Sequence, residues 1–341
     1  MFRSMKPSEI LKLTPSGLYC EAGDFYIDPV RKVSRAVITH GHSDHARPGH
    51  GAVLATQPTL DVMKARYGPN FTSSQQSLNY NDPITLAGTS ITLKPAGHVI
   101  GSAQVIVESA GHRVVVTGDY KRTRDPTCPS FEPISCDIFI TEATFGLPIF
   151  RHPAPETQIL RLLNSVTLFS SRPHFIAAYS LGKAQRLITL LREAGYDEPV
   201  YVDRATAKLC ALYENHGVPL GTIKPVDQQS ENTLKGKICI APPTMHGTLF
   251  GATQNPPITS FASGWLSVRK RAISTGGNLP LVISDHADWR ELTETASEVA
   301  PEELWITHGA ADALIAWATS RGMKARPLSI KGYGQDDGPS H

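Results

Sequence analysis

The segment HGHSDH at residues 40–45 is the most informative stretch of the sequence. It places four side chains that can bind a metal, His40, His42, Asp44 and His45, within a single short stretch. His40 and His42 stand two residues apart, so both can project to the same side of an extended segment. Asp44 and His45 can then follow in a turn and face a second ion. Because neutral imidazole and carboxylate are suitable ligands for Zn²⁺ or Mn²⁺, the segment predicts a metal site.

Five short apolar runs, including the one before this segment, lead to a residue that can bind a metal or transfer a proton. The runs and these residues are Ala36–Thr39 with His40, Val114–Thr117 with Asp119, Ile138–Thr141 with Glu142, Leu281–Ser284 with His286, and Trp305–Thr307 with His308. Buried strands read as continuous apolar runs, and strands of one sheet that stop at the same edge bring their last residues together. We therefore expect these residues and His98 to form one cluster, with Asp119 as a carboxylate that bridges two ions ~3.5–4 Å apart.

Composition favours a protein of a reducing compartment that is large enough for two domains. The chain has 341 residues, of which 40% are hydrophobic, and a net charge of +2. No run reaches the ~18–20 apolar residues of a membrane span, and residues 1–10 lack the apolar segment of a secretory signal. The five cysteines contain no CxxC pair, which argues against a thiolate zinc site. We expect a cytoplasmic protein without membrane contact, whose nucleic-acid binding would depend on local basic patches.

The pattern of the chain changes twice along its length. Residues 1–152 are dominated by short strand-like runs separated by Gly, Pro, Asn and Asp, with one helix predicted at Gln57–Tyr67. Residues 153–270 alternate strand and helix patterns, as a small α/β domain does. The first pattern returns in residues 271–332, and residues 333–341 read as a flexible tail. These boundaries predict one metal-binding domain with an α/β cap domain inserted into it.

The motifs at these strand ends are similar to those of the metallo-β-lactamase fold, in the subfamily that carries a β-CASP cap. The segment at 40–45 resembles the signature of that fold, and Asp28 in the run YIDP resembles its first, supporting aspartate. The remaining motif positions are filled in order by His98, Asp119, Glu142, His286 and His308. The resemblance covers nearly the whole chain and looks closest to the bacterial ligase-associated DNA exonuclease branch. It implies an α/β fold, an αββα metallo-β-lactamase sandwich with an inserted α/β β-CASP cap domain.

The resemblance also implies a role for each motif residue. One divalent ion, Zn²⁺ or Mn²⁺, would take His40, His42, His98 and Asp119, and the second would take Asp44, His45, Asp119 and His308. The nucleophile would be a hydroxide between the ions, because metal binding lowers the pKa of water to near neutral. His286, oriented by Glu142, would protonate the leaving 3′ oxygen, since an imidazole titrates near working pH.

Two basic stretches are candidates for contacts with a phosphate of the substrate. At a predicted strand-to-helix turn, Ser180 can cap the helix, Gly182 allows close approach of the backbone, and Lys183 adds charge beside the helix N–H groups. An ordinary capped turn is the alternative there, and the match to the β-CASP cap favours the phosphate. Lys121 and Arg122 follow the predicted bridging aspartate and could bind a phosphodiester near the metals. A solvated basic loop is the alternative for this pair.

Members of the β-CASP family are nucleases, so the resemblance implies a metal-dependent phosphodiesterase. We expect a DNA exonuclease of DNA repair that works 5′→3′, because related DNA members work from a 5′-phosphate. His308 favours the alternative, an RNA nuclease like those of mRNA 3′-end processing, because RNA enzymes of the eukaryotic branches usually carry histidine there. A small-molecule hydrolase and a non-catalytic scaffold are less favoured, since the chain has a large cap and keeps every ligand. The resemblance also implies an ATP-dependent DNA ligase and a helicase as pathway partners.

Overall fold

The structure, a computed structural model, describes residues 5–251, 256–274 and 277–328. These residues form two compact units. The main unit comprises the described residues up to Pro148 and those from His286 onward, and the inserted unit comprises Ile149–Asp285. The sequence predicts such an insertion, but the chain returns to the main unit later than residue 271, and the tail at 333–341 lies outside the described residues. Among the described residues, no helix is both long enough and apolar enough to cross a membrane.

Six strands, numbered in chain order, form the first sheet of the main unit. They are β1 (Lys12–Thr14), β2 (Gly17–Cys20), β3 (Phe25–Ile27), β4 (Arg35–Val37), β5 (His50–Ala55) and β6 (Thr72–Ser77), and they lie side by side in that order. Helix α1 (Gln57–Tyr67) joins β5 to β6 and has the bounds that the sequence predicts. Thr56 caps its N-terminus, because the Thr56 side chain accepts a hydrogen bond from the Thr59 N–H. Gly68 caps its C-terminus with a φ of 89°, a value that favours glycine.

The second sheet of the main unit begins with five strands. They are β7 (Ile84–Leu86), β8 (Thr89–Pro95), β9 (Ala103–Ser109), β10 (His112–Val116) and β11 (Ile138–Thr141). Strands β7 to β10 pair antiparallel with their neighbours, and β11 joins β10 in parallel. Along β8, buried and partly buried residues alternate, because successive side chains of a strand point to opposite faces of the sheet.

The inserted unit is a parallel five-stranded sheet whose strands alternate with helices. Its elements are α2 (Pro155–Leu168), β12 (His174–Ala177), α3 (Lys183–Glu193), β13 (Val200–Val202), α4 (Arg204–Asn215), β14 (Ile223–Pro225), α5 (Glu231–Leu234), β15 (Ile238–Ala241), α6 (His246–Phe250), β16 (Ile258–Phe261) and α7 (Arg269–Ser274). The strand order is β14-β13-β15-β12-β16, and every pair is parallel. The predicted α/β character of the cap is therefore confirmed.

The last part of the main unit completes the second sheet. Its elements are α8 (Trp289–Val299), β17 (Glu303–Ile306), α9 (Ala311–Thr319) and β18 (Lys324–Pro327). The finished sheet has the order β18-β17-β11-β10-β9-β8-β7, and β10, β11, β17 and β18 run parallel to one another.

Three groups of buried apolar side chains show that the main unit has four layers. The largest group lies between the two sheets and draws residues from β2, β3, β4 and β5 on one side and from β8, β9, β10, β11 and β17 on the other. A second group packs α1 against the outer face of the first sheet. A third packs α8 and α9 against the outer face of the second sheet. Burying one face of each helix and both faces of each sheet gives the predicted αββα sandwich, which is confirmed.

The ends of the parallel strands place the predicted site residues at one edge of the second sheet. Asp119, Glu142 and His308 follow β10, β11 and β17. The segment at 40–45, however, follows β4 and so extends from the first sheet. The expectation that all the ligand-bearing strands belong to one sheet is therefore wrong, and the ligands come from the two facing sheets.

The predicted strand at Leu281–Ser284 is also wrong. Its first residue makes an isolated bridge to Ala262, and the segment forms no strand. The carbonyls of residues 283 and 284 instead accept hydrogen bonds from the side chains of Lys183 and Arg186. Because these contacts hold the segment to α3, it belongs to the inserted unit, and the chain returns to the main unit only at His286.

Candidate metal centre

The structure brings the predicted ligands together in two groups. The first group consists of His40, His42, His98 and Asp119, and the second of Asp44, His45 and His308. Within each group, one ligand atom per residue lies within 4.8 Å of all the others. The four ligands of the segment at 40–45 lie in the loop after β4. His98 follows β8, Asp119 follows β10, and His308 follows β17.

One carboxylate oxygen lies between the two groups. Asp119 Oδ2 is 3.4 Å from His40 Nε2 and 3.8 Å from His98 Nε2, both of the first group. The same oxygen is 3.5 Å from His45 Nε2 of the second group. Because one atom faces ring nitrogens of both groups, Asp119 has the geometry of a shared ligand.

Three imidazoles of the first group converge on each other through their ring nitrogens. His42 Nδ1 lies 3.1 Å from His40 Nε2 and 3.0 Å from His98 Nε2. A tight turn presents His42, since the amides of residues 45 and 46 both donate to its carbonyl oxygen. All of these rings are buried or nearly so, and ring nitrogens that close together can share one cation.

Asp28 fixes the orientation of His45 in the second group. It is buried, and its Oδ2 accepts hydrogen bonds from the Thr39 hydroxyl at 2.6 Å and from His45 Nδ1 at 2.8 Å. Its Oδ1 accepts from the Thr39 N–H at 2.8 Å. With Nδ1 donating to a carboxylate, Nε2 of His45 is the nitrogen that faces Asp119 and Asp44. This geometry suits the supporting role that the resemblance implies for Asp28.

Two threonines that the sequence interpretation missed contact the histidines that follow them. The Thr39 hydroxyl lies 3.0 Å from His40 Nδ1, and the Thr307 hydroxyl lies 3.0 Å from His308 Nδ1. Contacts of this kind orient a ring so that its Nε2 points into the cluster. The sequence signal was a Thr-His pair after an apolar run, which occurs at both places.

His286 and Glu142 form a buried pair beside the first group. His286 Nδ1 is 3.0 Å from Glu142 Oε2 and 3.2 Å from Oε1. The carboxylate is itself held, because Oε1 accepts from the Tyr120 N–H at 2.8 Å and Oε2 accepts from the Thr144 hydroxyl at 2.5 Å. The ring of His286 lies 4.7 Å from the ring of His98. This places His286 next to the cluster, with Nδ1 held by the Glu142 carboxylate.

Burial keeps three of the imidazoles in the neutral form that binds metals. Burial and the neighbouring His45 hold the pKa of His40 well below its usual value, and burial and His286 do the same to the pKa of His98. Burial lowers the pKa of His308 to about 4. These rings therefore offer lone pairs to a cation near neutral pH.

In the metal-free cluster, Asp119 and His45 each favour the charged form of the other. Burial opposes the charge on His45, but the carboxylates of Asp119, Asp44 and Asp28 raise its pKa to about 10. Burial likewise opposes the charge on Asp119, yet His45 and His286 hold its pKa well below the usual range. In the absence of metal, a proton on His45 therefore balances part of the carboxylate charge, and a metal ion must displace that proton.

The donor set fits divalent ions of the zinc or manganese type. The two groups supply only imidazole nitrogens and carboxylate oxygens, and no cysteine of the described residues belongs to either group. Such nitrogen and oxygen ligands suit Zn²⁺ and Mn²⁺. Asp119, Glu142 and His286 form a third group of neighbouring side chains that can bind a metal.

The basic residues after Asp119 contact helix α8. Lys121 Nζ lies 2.6 Å from Glu291 Oε2, and the Lys121 residue is only 4% exposed. Arg122 pairs with Glu298 at 2.7 Å and also donates to the Thr295 hydroxyl. The structure thus gives Lys121 a buried carboxylate partner in place of the solvent-facing position that a phosphate contact needs.

The predicted phosphate turn of the inserted unit is likewise closed by its own side chains. Gly182, with φ of 84°, stands before α3, and its N–H donates to the Gln185 side chain, which in turn donates to the Ser180 carbonyl oxygen. Lys183 is buried, and its Nζ lies 3.2 Å from Asp285 Oδ2. The cap is therefore Gln185 and not the Ser180 hydroxyl, and the charge of Lys183 is directed at a carboxylate of the same unit. A phosphate contact at this turn stays a prediction.

Three relatives resemble this chain in sequence. A probable DNA ligase of Opitutus terrae is 28% identical over 91% of this chain and 30% of its own length. Endoribonuclease ysh-1 of Neurospora crassa is 30% identical over 52% of the chain and 26% of its own length. An RNase J-like protein of Methanocaldococcus jannaschii is 24% identical over 85% of the chain and 76% of its own length. The chain thus spans less than a third of the first two relatives.

A solved structure shares the fold. The crystal structure of a protein of unknown function from Enterococcus faecalis superposes with a TM-score of 0.58 at 15% identity, over 80% of this chain and 74% of that one. No family model matches the chain. The αββα sandwich, the inserted α/β unit, the two ligand groups and these relatives agree with the resemblance of the chain to β-CASP nucleases of the metallo-β-lactamase fold.

Proposed function

We propose that the chain is a metal-dependent phosphodiesterase that degrades DNA as an exonuclease in DNA repair. The observation that carries the proposal is the position of Asp119 Oδ2, which lies 3.4 to 3.8 Å from imidazoles of both ligand groups. A carboxylate shared by two ions is the arrangement used to hold the attacking and leaving oxygens of a phosphodiester.

Each group of residues has a distinct task in this proposal. His40, His42, His98 and Asp119 would hold one divalent ion, and Asp44, His45, Asp119 and His308 would hold the other. When bound, the ions supply Lewis acidity to the phosphoryl oxygens and lower the pKa of water toward neutrality. Asp28, Thr39 and Thr307 keep the histidine rings in the orientation that these ligands require.

His286 would protonate the oxygen that leaves the phosphorus. Its Nδ1 is held by Glu142, so the opposite nitrogen, Nε2, is the one that would deliver the proton. Glu142 Oε2 lies 3.0 Å from this Nδ1 and fixes the orientation of the ring. Since the Tyr120 N–H and the Thr144 hydroxyl both donate to Glu142, the pair is oriented before any substrate binds.

The names of the relatives support DNA as the first candidate substrate and RNA as the second. The likeness to the protein named a probable DNA ligase extends over 91% of the chain, which favours DNA. The relatives named endoribonuclease ysh-1 and RNase J-like protein favour RNA, and so does the presence of His308 at the last motif. We place DNA first, with 5′→3′ degradation and with an ATP-dependent DNA ligase and a helicase as partners in the pathway.

The test is incubation of the pure protein with Mn²⁺ or Zn²⁺ and end-labelled DNA and RNA of matched sequence. We expect stepwise shortening of linear DNA from the 5′-phosphate end, slower action on 5′-hydroxyl ends, and no cutting of covalently closed circular DNA. Asp119→Ala is the inactive control. Faster degradation of RNA than of DNA would favour the ribonuclease alternative. Rapid cutting of the circle would exclude an exonuclease, and inactivity on both nucleic acids with metals bound would refute the nuclease proposal.

A further inference from the structure

Glu291 is a buried carboxylate that accepts four hydrogen bonds near the candidate metal centre. It lies in the first turn of α8 and is 2% exposed. Its Oε2 accepts from Lys121 Nζ at 2.6 Å and from the Asp288 N–H at 2.9 Å. Its Oε1 accepts from the Thr123 N–H at 2.6 Å and from the Thr123 hydroxyl at 2.8 Å. One carboxylate thus joins the bridging loop (residues 119–123) to the histidine segment (residues 286–288).

These two stretches are also joined directly, through the backbone of Tyr120. The Ala287 N–H donates to the Tyr120 carbonyl oxygen at 2.7 Å. The Tyr120 N–H donates to Glu142 Oε1 at 2.8 Å, and Glu142 contacts the ring of His286. The peptide groups of the bridging loop therefore hold both the main chain beside His286 and the carboxylate that orients its ring. Any shift of this loop would move the ring of His286 relative to Asp119.

We propose that Glu291, with Lys121 as its buried counter-ion, is a positioning residue that holds His286 in place for proton transfer. This inference rests on the proposed function, because it concerns how the proton donor is placed. Lys121 serves this pair and not the substrate, since its ammonium is buried against Glu291. Neither side chain touches the reacting atoms. A displacement of about 1 Å at a catalytic group can cost about 10²-fold in rate, so a pair that fixes the loop can control catalysis from outside the site.

The decisive variant is Glu291→Gln. Its amide keeps one accepting oxygen but turns an NH₂ group toward one pair of donors, so about half of the four hydrogen bonds are lost. We expect unchanged metal content and an unchanged KM for DNA, with kcat lowered about 10²-fold. The loss should be much smaller on bis(p-nitrophenyl) phosphate, whose leaving group does not need a proton. Adding Lys121→Met to Glu291→Gln should restore part of kcat. The double variant has no buried ammonium left without a carboxylate partner.

Glu298→Gln is the matched control. It removes the half-exposed ion pair with Arg122, which joins the same loop to the same helix, so we expect wild-type kcat on both substrates. A merely structural role for Glu291 would lower the active fraction and reduce both activities equally. Equal losses, a raised KM with unchanged kcat, or loss of metal in Glu291→Gln would therefore overturn the inference.

A second measurement does not depend on activity. The Ala287 N–H is buried in its hydrogen bond to Tyr120, so its exchange with solvent should be slow in the wild type and in Glu298→Gln. We expect faster exchange at this amide in Glu291→Gln, and unchanged exchange would overturn the positioning role. If the wild type cleaves no nucleic acid but exchange at Ala287 responds as expected, the proposed function fails while the structural coupling stands.

Discussion

Asp28→Asn should weaken the metal site that contains His45 more than the other site. The side chain keeps its size, and asparagine tolerates the positive φ of 42° at this position. Its carbonyl oxygen can still accept from the Thr39 N–H, but its NH₂ group then faces His45 Nδ1. That group donates, so His45 would have to accept on Nδ1 and carry its proton on Nε2. The proton would then occupy the nitrogen that faces Asp119 and Asp44.

The size of the effect follows from the lost hydrogen bond to a carboxylate. Such a charge-assisted bond contributes ~1.5–3 kcal/mol, and loss of a partner that orients a metal ligand lowers affinity or activity about 10- to 100-fold. We therefore expect the binding constant of the site that contains His45 to fall about 10- to 100-fold, which corresponds to about 1.4–2.8 kcal/mol. The first group should weaken less, because the Thr39 hydroxyl stands between Asp28 and His40 Nδ1, whereas His45 Nδ1 contacts Asp28 directly.

The assay is titration of the metal-free protein with Zn²⁺ in the presence of a competing chelator. Asp24→Asn is the matched control, because Asp24 also has a positive φ but is exposed and pairs with Arg35 at the surface. It should leave both binding constants unchanged. Equal weakening of both sites by Asp28→Asn, or no weakening of either, would refute the assignment of Asp28 to His45.

Three further outcomes follow from the same geometry. His286→Ala should keep its metal content and lose about 10²–10⁴ in rate on DNA, with a smaller loss on an ester whose leaving group is p-nitrophenolate, as single-turnover kinetics would show. Because the pKa of His45 is about 10 without metal, metal binding should release about one proton near neutral pH. The affinity for the metal should therefore rise with pH. Calorimetry in buffers of different ionisation enthalpy measures the number of protons released. Burial opposes the charge on Glu291, but Lys121 lowers its pKa from 4.5 to about 2. The pair therefore stabilises the fold by about 3 kcal/mol above pH 4.5, and this contribution is lost as the pH falls toward 2. Urea unfolding of the wild type and Glu291→Gln across that range should show the two stabilities converging at low pH, and parallel curves would contradict this.

The ligands could be predicted from the sequence because strand ends converge for topological reasons. Asp119, Glu142 and His308 each follow an apolar run, and the parallel order of β10, β11 and β17 brings them to one edge. The spacing within residues 40–45 predicts two ligand directions from one turn, and the structure shows that turn. These features depend on backbone periodicity, which a sequence reports well.

The partners of buried charges could not be predicted in the same way. Lys121 and Lys183 look like exposed phosphate contacts in the sequence, but each lies against a carboxylate far along the chain, Glu291 and Asp285. The run at 281–284 has the composition of a strand, yet its carbonyls bond to side chains of α3. Such long-range side-chain contacts leave no periodic signal, because they depend on tertiary packing.

The metal stoichiometry of the wild type and of Asp119→Ala shows whether Asp119 bridges two ions. Asp119 Oδ2 lies between the two ligand groups, so its loss should affect both sites at once. Elemental analysis should find two ions per wild-type chain and lowered occupancy at both sites in Asp119→Ala, with no remaining cleavage. A single tightly held ion in the wild type, unaffected by Asp119→Ala, would contradict a two-ion centre bridged by this carboxylate.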